Sequence, residues 1–261
     1  MKVSSRIQSV LEVLDQTRGL YYNIAKPTAD LLFFLTKLKR PQTIIEIGTA
    51  NGYSSIVMGA AIQSYGGNVI TIERNGRLVE EARENIMEAG LQDVVTVYPG
   101  SAYKVIQKLS GPFDMVFNDG TKQEYLGYFE RFYPKLSPQA LVIANGAISN
   151  NADLSKYTNV VFKDELLSSN IVPVGRGLLV SVYEPKKEPN FKKPVSSIGE
   201  LVVEVEKRYF KGTASQVKNG EIFIRKDKAE PKNERDGYVD SLITESMVLP
   251  TEEEVEPLEI L

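Results

Sequence analysis

The chain has 261 residues, 42% of them hydrophobic and 25% charged, with a formal net charge of −3. This is an ordinary globular composition, long enough for one sizeable α/β domain plus an appendage, and its charge provides no broad electrostatic footprint for nucleic acid. Cysteine and histidine are both absent, which excludes disulfides, thiolate nucleophiles, imidazole bases, Ser-His-Asp triads and Cys/His zinc sites.

Any proton acceptor must therefore be Asp, Glu, Lys or Tyr, and any metal a hard cation held by oxygen. No apolar run reaches membrane-spanning length, and Met1–Val10 has no signal-peptide core. A cytoplasmic protein without a membrane partner is expected.

Residues 4–20 place Ile7, Val10, Leu11 and Leu14 at helical spacing, with Gly19 as a stop. A second helix is expected over residues 27–39, with Pro27 in its first turn. Leu31, Leu32, Phe34, Leu35 and Leu38 form its apolar face. Both helices either cover a ligand site or present a partner surface, and packing accounts for their apolar residues.

The β-branched run Thr43–Ile47 then reads as a buried strand. It breaks into a loop carrying Gly48 and Gly52, followed by the helical pattern Ile56, Val57, Ala60, Ala61. Strand, glycine loop and helix make a nucleotide-type site, because glycine admits close backbone approach and a helix start offers free N–H groups to an anion. The spacing is E-x-G-x-x-x-G, not the dinucleotide G-x-G-x-x-G, and no Walker lysine follows. That suits a ligand without phosphate. S-adenosylmethionine fits, with its carboxylate at the helix start near Tyr53 and Ser54. An ordinary β-to-α turn also carries such glycines, so the loop alone does not decide.

Asn68–Glu73 reads as a second strand. Glu73 falls about 25 residues past Gly48, where nucleotide folds set a carboxylate on ribose hydroxyls; a solvated strand-end acid is the alternative. A charge-rich helix over 77–89 ends at Gly90, and Val94–Val97 is a third strand leading to a turn with Ser101 and Ala102. Phe113–Phe117 is a fourth strand. Beyond it Asp119 and Lys122, three apart at a helix start, project toward one crevice. A helix over about 123–133 and a fifth strand, Leu141–Ala144, come next. Strands around Val160–Phe162 and Gly177–Tyr183 are expected to form an antiparallel edge pair.

The result is an α/β fold with a doubly wound, mostly parallel sheet and an antiparallel edge pair. This domain is expected to span residues 1–184, followed by a Pro/Lys linker at 185–197. Residues 198–261 form an acidic extension, partly disordered, with one helix (Ile198–Phe210) and one strand (Glu221–Arg225).

Six motifs in order carry a resemblance: EIGTANGYSS (46–55), VITIER (69–74), PGSA (99–102), FNDGTKQEY (117–125), LVIANG (141–146) and VPVGRGLLVSV (172–182). Over residues 4–184 the chain resembles the catechol and caffeoyl-CoA O-methyltransferases, Rossmann-like class I S-adenosylmethionine enzymes. The resemblance implies that Glu46, Gly48, Thr49 and Gly52 line the cofactor, that Ser54 binds its carboxylate and Glu73 its ribose, and that Ser101 and Ala102 flank the adenine. It places Asp119 near the methionine amine and makes Lys122 the general base. It also implies a homodimer; O-methylation of a small hydroxylated acceptor is the leading reading, and it predicts an apolar, aromatic-lined pocket to which Tyr22, Tyr125 and Tyr128 contribute.

The family's divalent ion is held by an Asp after the fourth strand and an Asp-Asn pair after the fifth. Here Asp119 is kept but the pair reads Asn145-Gly146. Mg²⁺ demands near-octahedral oxygen ligation, so metal-independent transfer is expected. Two other readings stand beside this one. An RNA-modifying methyltransferase needs a basic stripe, for which Lys186, Lys187, Lys192 and Lys193 are the cluster at hand. A non-catalytic relative would bind cofactor or a partner through the same fold with a decayed metal site.

Overall fold

The computed structural model describes residues 1–185, 215–218 and 221–224. Three helices come first: α1 (Ser5–Gln16), α2 (Arg18–Tyr21) and α3 (Lys26–Lys39). Strand–helix alternation follows: β1 (Thr43–Ile47), α4 (Tyr53–Ile62), β2 (Asn68–Glu73), α5 (Gly76–Glu88), β3 (Val95–Pro99), α6 (Ala102–Lys108), β4 (Phe113–Asn118), α7 (Tyr125–Phe132), β5 (Leu136–Asn145) and α8 (Asn151–Lys163). The hairpin of β6 (Leu167–Val172) and β7 (Leu178–Tyr183) ends the sheet.

Strand order is β3-β2-β1-β4-β5-β7-β6. The first five strands run parallel, and β7 is antiparallel to both its neighbours. This is the expected doubly wound sheet with an antiparallel edge pair. Its central strands β1 and β4 are buried on both faces because helices cover both, whereas the edge strand β3 alternates buried and exposed residues. Ile44 of β1 packs in one layer with α1, α3, α4 and α5, whereas Ile45 and Ile47 pack in the other with α6, α7 and α8. Crossing from β1 to β2 on one side and to β4 on the other creates the switch point where ligands bind in such sheets.

Two expectations are corrected. Val160–Phe162 is the last turn of α8, not a strand; Leu154, Tyr157 and Val161 are its buried helical face, and the edge strand lies later, at Leu167–Val172. On α3 the buried residues are Thr28, Ala29, Leu32 and Thr36, while Phe34 and Leu38 are exposed. Thr36 is tolerated inside because its hydroxyl donates to the Leu32 carbonyl at 2.7 Å.

The chain divides into two compact units, residues 1–186 and 187–261. In the second, β8 (Ser215–Lys218) pairs antiparallel with β9 (Glu221–Ile224), so β9 is the strand expected near Glu221. The linker, its lysine cluster, the helix expected at 198–210 and the acidic end lie outside the described residues. Among the described residues no helix is long and apolar enough to cross a membrane.

Candidate functional site

Ladder hydrogen bonds continue past the strand ends and fix the loops at the carboxyl edge. The Gly48 amide donates to the Ile72 carbonyl at 3.0 Å, Asp119 to Ile47 at 2.9 Å, and Gly100 to Glu73 at 2.8 Å. Gly48 is required here twice over. Its φ is +96°, and a Cβ would lie 2.7 Å from the Asp119 carbonyl oxygen, so only glycine lets the β1 loop abut the end of β4.

These loops surround a cavity of about 410 Å³. The β1 loop lines it with Gly48, Thr49 and Ala50, the start of α4 with Ser54, and the end of β2 with Glu73 and Arg74. Gly100 and Ala102 close one end; Asp119–Lys122, Tyr128, Asn150 and Arg176 form the other, and Tyr21–Ile24 cover it. The end of α2 and the segment joining it to α3 therefore contribute to the cavity wall.

Each residue singled out from the sequence has a definite place. The Glu73 carboxylate is oriented by two amides, accepting from Ala50 N at 3.1 Å and Asn75 N at 2.8 Å. Ser54 sits at the start of α4, whose cap residue Gly52 supplies no side-chain acceptor, leaving the first-turn amides free for an anion. The Thr49 hydroxyl turns inward onto Thr71 at 2.6 Å, so this residue offers the cavity its backbone.

Glu46, Gly52 and Ser101 do not line the cavity. Glu46 is wholly buried beneath the loop and accepts from the Ser55 hydroxyl, tying β1 to α4. Burial pushes its carboxyl up to about 7 against the hydroxyls of Ser54, Ser55 and Thr71, and the charge of Asp119 adds to the rise. Gly52 packs on Ala82 of α5, and Ser101 caps α6 between two residues that do reach the cavity.

At the β4 end a compact polar cluster forms. Lys122 Nζ donates to Asp119 Oδ1 at 2.7 Å and to the Tyr125 hydroxyl at 2.6 Å. Side-chain exposures of 14% and 16% shield the Lys122–Asp119 pair from most solvent screening. Asn145 Nδ2 donates to the same Asp119 oxygen at 3.0 Å. Tyr125, expected among acceptor-pocket residues, is instead fully buried and absent from the lining. Its hydroxyl donates to the carbonyls of Asn118 at 2.8 Å and Asn145 at 3.1 Å, so it braces Lys122 against two strand ends. Burial chiefly, with nearby Asp119, holds that hydroxyl protonated. Tyr22 and Tyr128 do line the cavity.

This donor set does not fit a divalent ion. Asp119 is the one carboxylate, and its Oδ1 already accepts from an ammonium and an amide. Asn145 adds a single unpartnered amide oxygen. Gly146 brings no donor, and a Cβ there would come within 3.3 Å of Lys122 Cε. Among the described residues no group of three or more acidic ligands converges.

Ala50, Arg74, Asn150 and Arg176 line the cavity but escaped the sequence reading. Arg74 and Arg176 sit inside recognised motifs, yet nothing in a lone arginine marks it as facing a ligand. Ala50 adopts φ +48° between the two loop glycines, a conformation that an alanine in the sequence does not announce.

Residues 45–145 match a family model described as a methyltransferase domain. A catechol O-methyltransferase of Niastella koreensis is 33% identical over 129 residues, covering 48% of this chain and 58% of that one. The chain spans little more than half the length of the catechol relatives it matches. A caffeoyl-CoA O-methyltransferase of Eucalyptus globulus is 27% identical, covering 60% of this chain and 74% of that one. Among solved structures, an O-methyltransferase from Bacillus cereus in complex with SAH superposes with a TM-score of 0.62 at 26% identity, covering 70% of this chain and 93% of that one. The chain thus has a Rossmann-like fold, matches a methyltransferase domain over residues 45–145, and is similar to catechol and caffeoyl-CoA O-methyltransferases.

Proposed function

We propose that the protein is an S-adenosylmethionine-dependent O-methyltransferase acting on a small hydroxylated acceptor without a divalent metal. The observation that carries this reading is the continuity of one cavity from the Gly48–Ala50 loop and Glu73 to the shielded Lys122–Asp119 pair. The first half suits the cofactor: Glu73 faces its ribose hydroxyls, the α4 start with Ser54 its carboxylate, and Gly100 and Ala102 its adenine. Asp119 approaches the methionine amine. Glu46, Gly52 and Ser101 support this half from behind.

Transfer is an in-line displacement. S-adenosylmethionine held by these residues would supply an activated methyl group to the acceptor oxygen, with S-adenosylhomocysteine as the leaving group. Lys122 Nζ faces the acceptor hydroxyl. As an amine it takes the hydroxyl proton, and as an ammonium it holds the oxyanion, while Asp119 and Tyr125 keep it in place. Holding the two reactants in line supplies much of the rate.

Calorimetric titration with S-adenosylmethionine, in EDTA and again with excess Mg²⁺, tests the reading. Micromolar binding of equal strength in both is expected. Lys122→Met is expected to keep that binding and to lose methyl transfer to a hydroxyarene panel by at least ~100-fold. Binding only with Mg²⁺ would overturn metal independence, and no binding at all would overturn the assignment. The same reading includes a cytoplasmic location and a homodimer.

A further inference from the structure

The sheet separates the two halves of the cavity. Most residues assigned to the cofactor follow β3, β2 and β1, whereas Asp119, which also approaches the methionine amine, lies with Lys122, Asn150 and Arg176 on the side of β4, β5 and the β6–β7 turn. On this second half one charge is unmatched. Among the charged residues lining the cavity, Glu73 accepts two amides, and Arg74 lies 3.8 Å from Glu124 and donates to Thr121 at 2.9 Å. Asp119 and Lys122 hold one another. Arg176 has no carboxylate partner among the described residues.

A hairpin-tip arginine is commonly a solvated one, but this tip is fixed. The Arg176 carbonyl accepts the amides of Ile148 and Ser149, both at 3.1 Å, and the Gly177 carbonyl accepts those of Gly146 at 2.8 Å and Ala147 at 3.0 Å. Glycines on either side permit close packing on Thr28 of α3 and on Ile148. Four backbone bonds thus lace the turn to the β5–α8 loop and set a cation on the cavity wall. Its field reaches the buried Tyr125 hydroxyl beside Lys122. The free amides at the start of α4, by contrast, lie at β1, three strand positions from β7, so the cofactor's own carboxylate has a nearer partner.

We propose that Arg176 is a specificity-determining residue that selects acceptors bearing a carboxylate, so that the substrate class is a hydroxy acid whose hydroxyl lies at Lys122 and whose carboxylate meets the Arg176 guanidinium. Planar, forked N–H donors match a carboxylate and leave a neutral analogue without a partner for that charge. The proposal rests on the methyltransferase reading and deepens it.

The test titrates protein loaded with S-adenosylhomocysteine with 3,4-dihydroxybenzoate and 3,4-dihydroxycinnamate, each against its methyl ester. The acids are expected to bind about tenfold tighter than the esters, the lower end for a charge-assisted hydrogen bond because Arg176 lies at an exposed rim. Arg176→Gln should abolish the preference without changing S-adenosylhomocysteine affinity, and Arg176→Lys should restore part of it. Equal binding of acid and ester, binding of neither, or a preference that survives Arg176→Gln overturns the proposal and leaves the methyltransferase reading standing. Loss of S-adenosylhomocysteine affinity in Arg176→Gln overturns it too, assigning the guanidinium to the cofactor. Wild-type protein that fails to bind S-adenosylhomocysteine sinks both.

Discussion

Glu46 shows how one buried acid couples the site to pH. Its carboxyl, raised by burial from the ordinary 4.5 to about 7, binds its proton more tightly in the folded chain than in the unfolded one. The stability gained from that proton is complete below the unfolded value and is lost as pH rises toward 7. The gap corresponds to about 3 kcal/mol. Glu46→Gln removes the titration, so its stability relative to wild type should improve by about that amount between pH 4 and pH 8, measured by urea unfolding; parallel pH curves would refute the argument. In sequence it was the family resemblance that implied a cofactor-lining role for this residue. Only the tertiary arrangement turns it inward toward Ser55. Tyr125 taught the same lesson, since nothing in its spacing distinguishes a ring facing a ligand from one bracing a lysine. Gly48, Glu73, Asp119 and Lys122 were legible because backbone geometry and strand-end position leave them few other places to be.

The elements were readable wherever periodicity and burial agree. β1 is a β-branched run between Pro41 and Gly48 and β2 one that follows Gly66-Gly67, and their limits match the sequence reading. The edge strand was not readable. LSSNIV is half polar because β6 is covered on few sides, and the more strand-like VVF belongs to a helix end. β4 and β1 are also joined by a polar device with no sequence signal. Asp114 accepts from the amides of Gln42 at 2.9 Å and Thr43 at 3.0 Å and from the Ser137 hydroxyl at 2.7 Å. Burial opposes its ionisation, but these bonds outweigh burial and hold the carboxyl below its ordinary value. Asp114→Ala is expected to cost about 1–3 kcal/mol, read by chemical denaturation. Its effect on S-adenosylmethionine affinity should be slight, because these bonds lie at the opposite end of β1 from the ligand loops.

At the scale of the whole molecule, α3 leaves Phe34 and Leu38 exposed at 60% and 70%, one turn apart on the same face, and Val13 and Leu20 are exposed on the neighbouring helices. Paired large apolar side chains on one helix face suit a second copy of the chain. The double substitution Phe34→Ser, Leu38→Ser should leave the fold intact and convert a dimer to a monomer in sedimentation velocity. A monomeric wild type would count against the homodimer.

The sheet order has a further consequence, for the history of each chain as it folds. Every other strand pairing joins segments close in sequence, but β1 meets β4 across about 70 residues, the longest closure in the sheet and the most expensive in chain entropy. Gly48 touches Asp119 along that seam. The ligand cavity is therefore complete only once this longest closure has formed. A ligand that spans the seam acts as a clasp, withdrawing finished molecules from the folding equilibrium in proportion to its concentration.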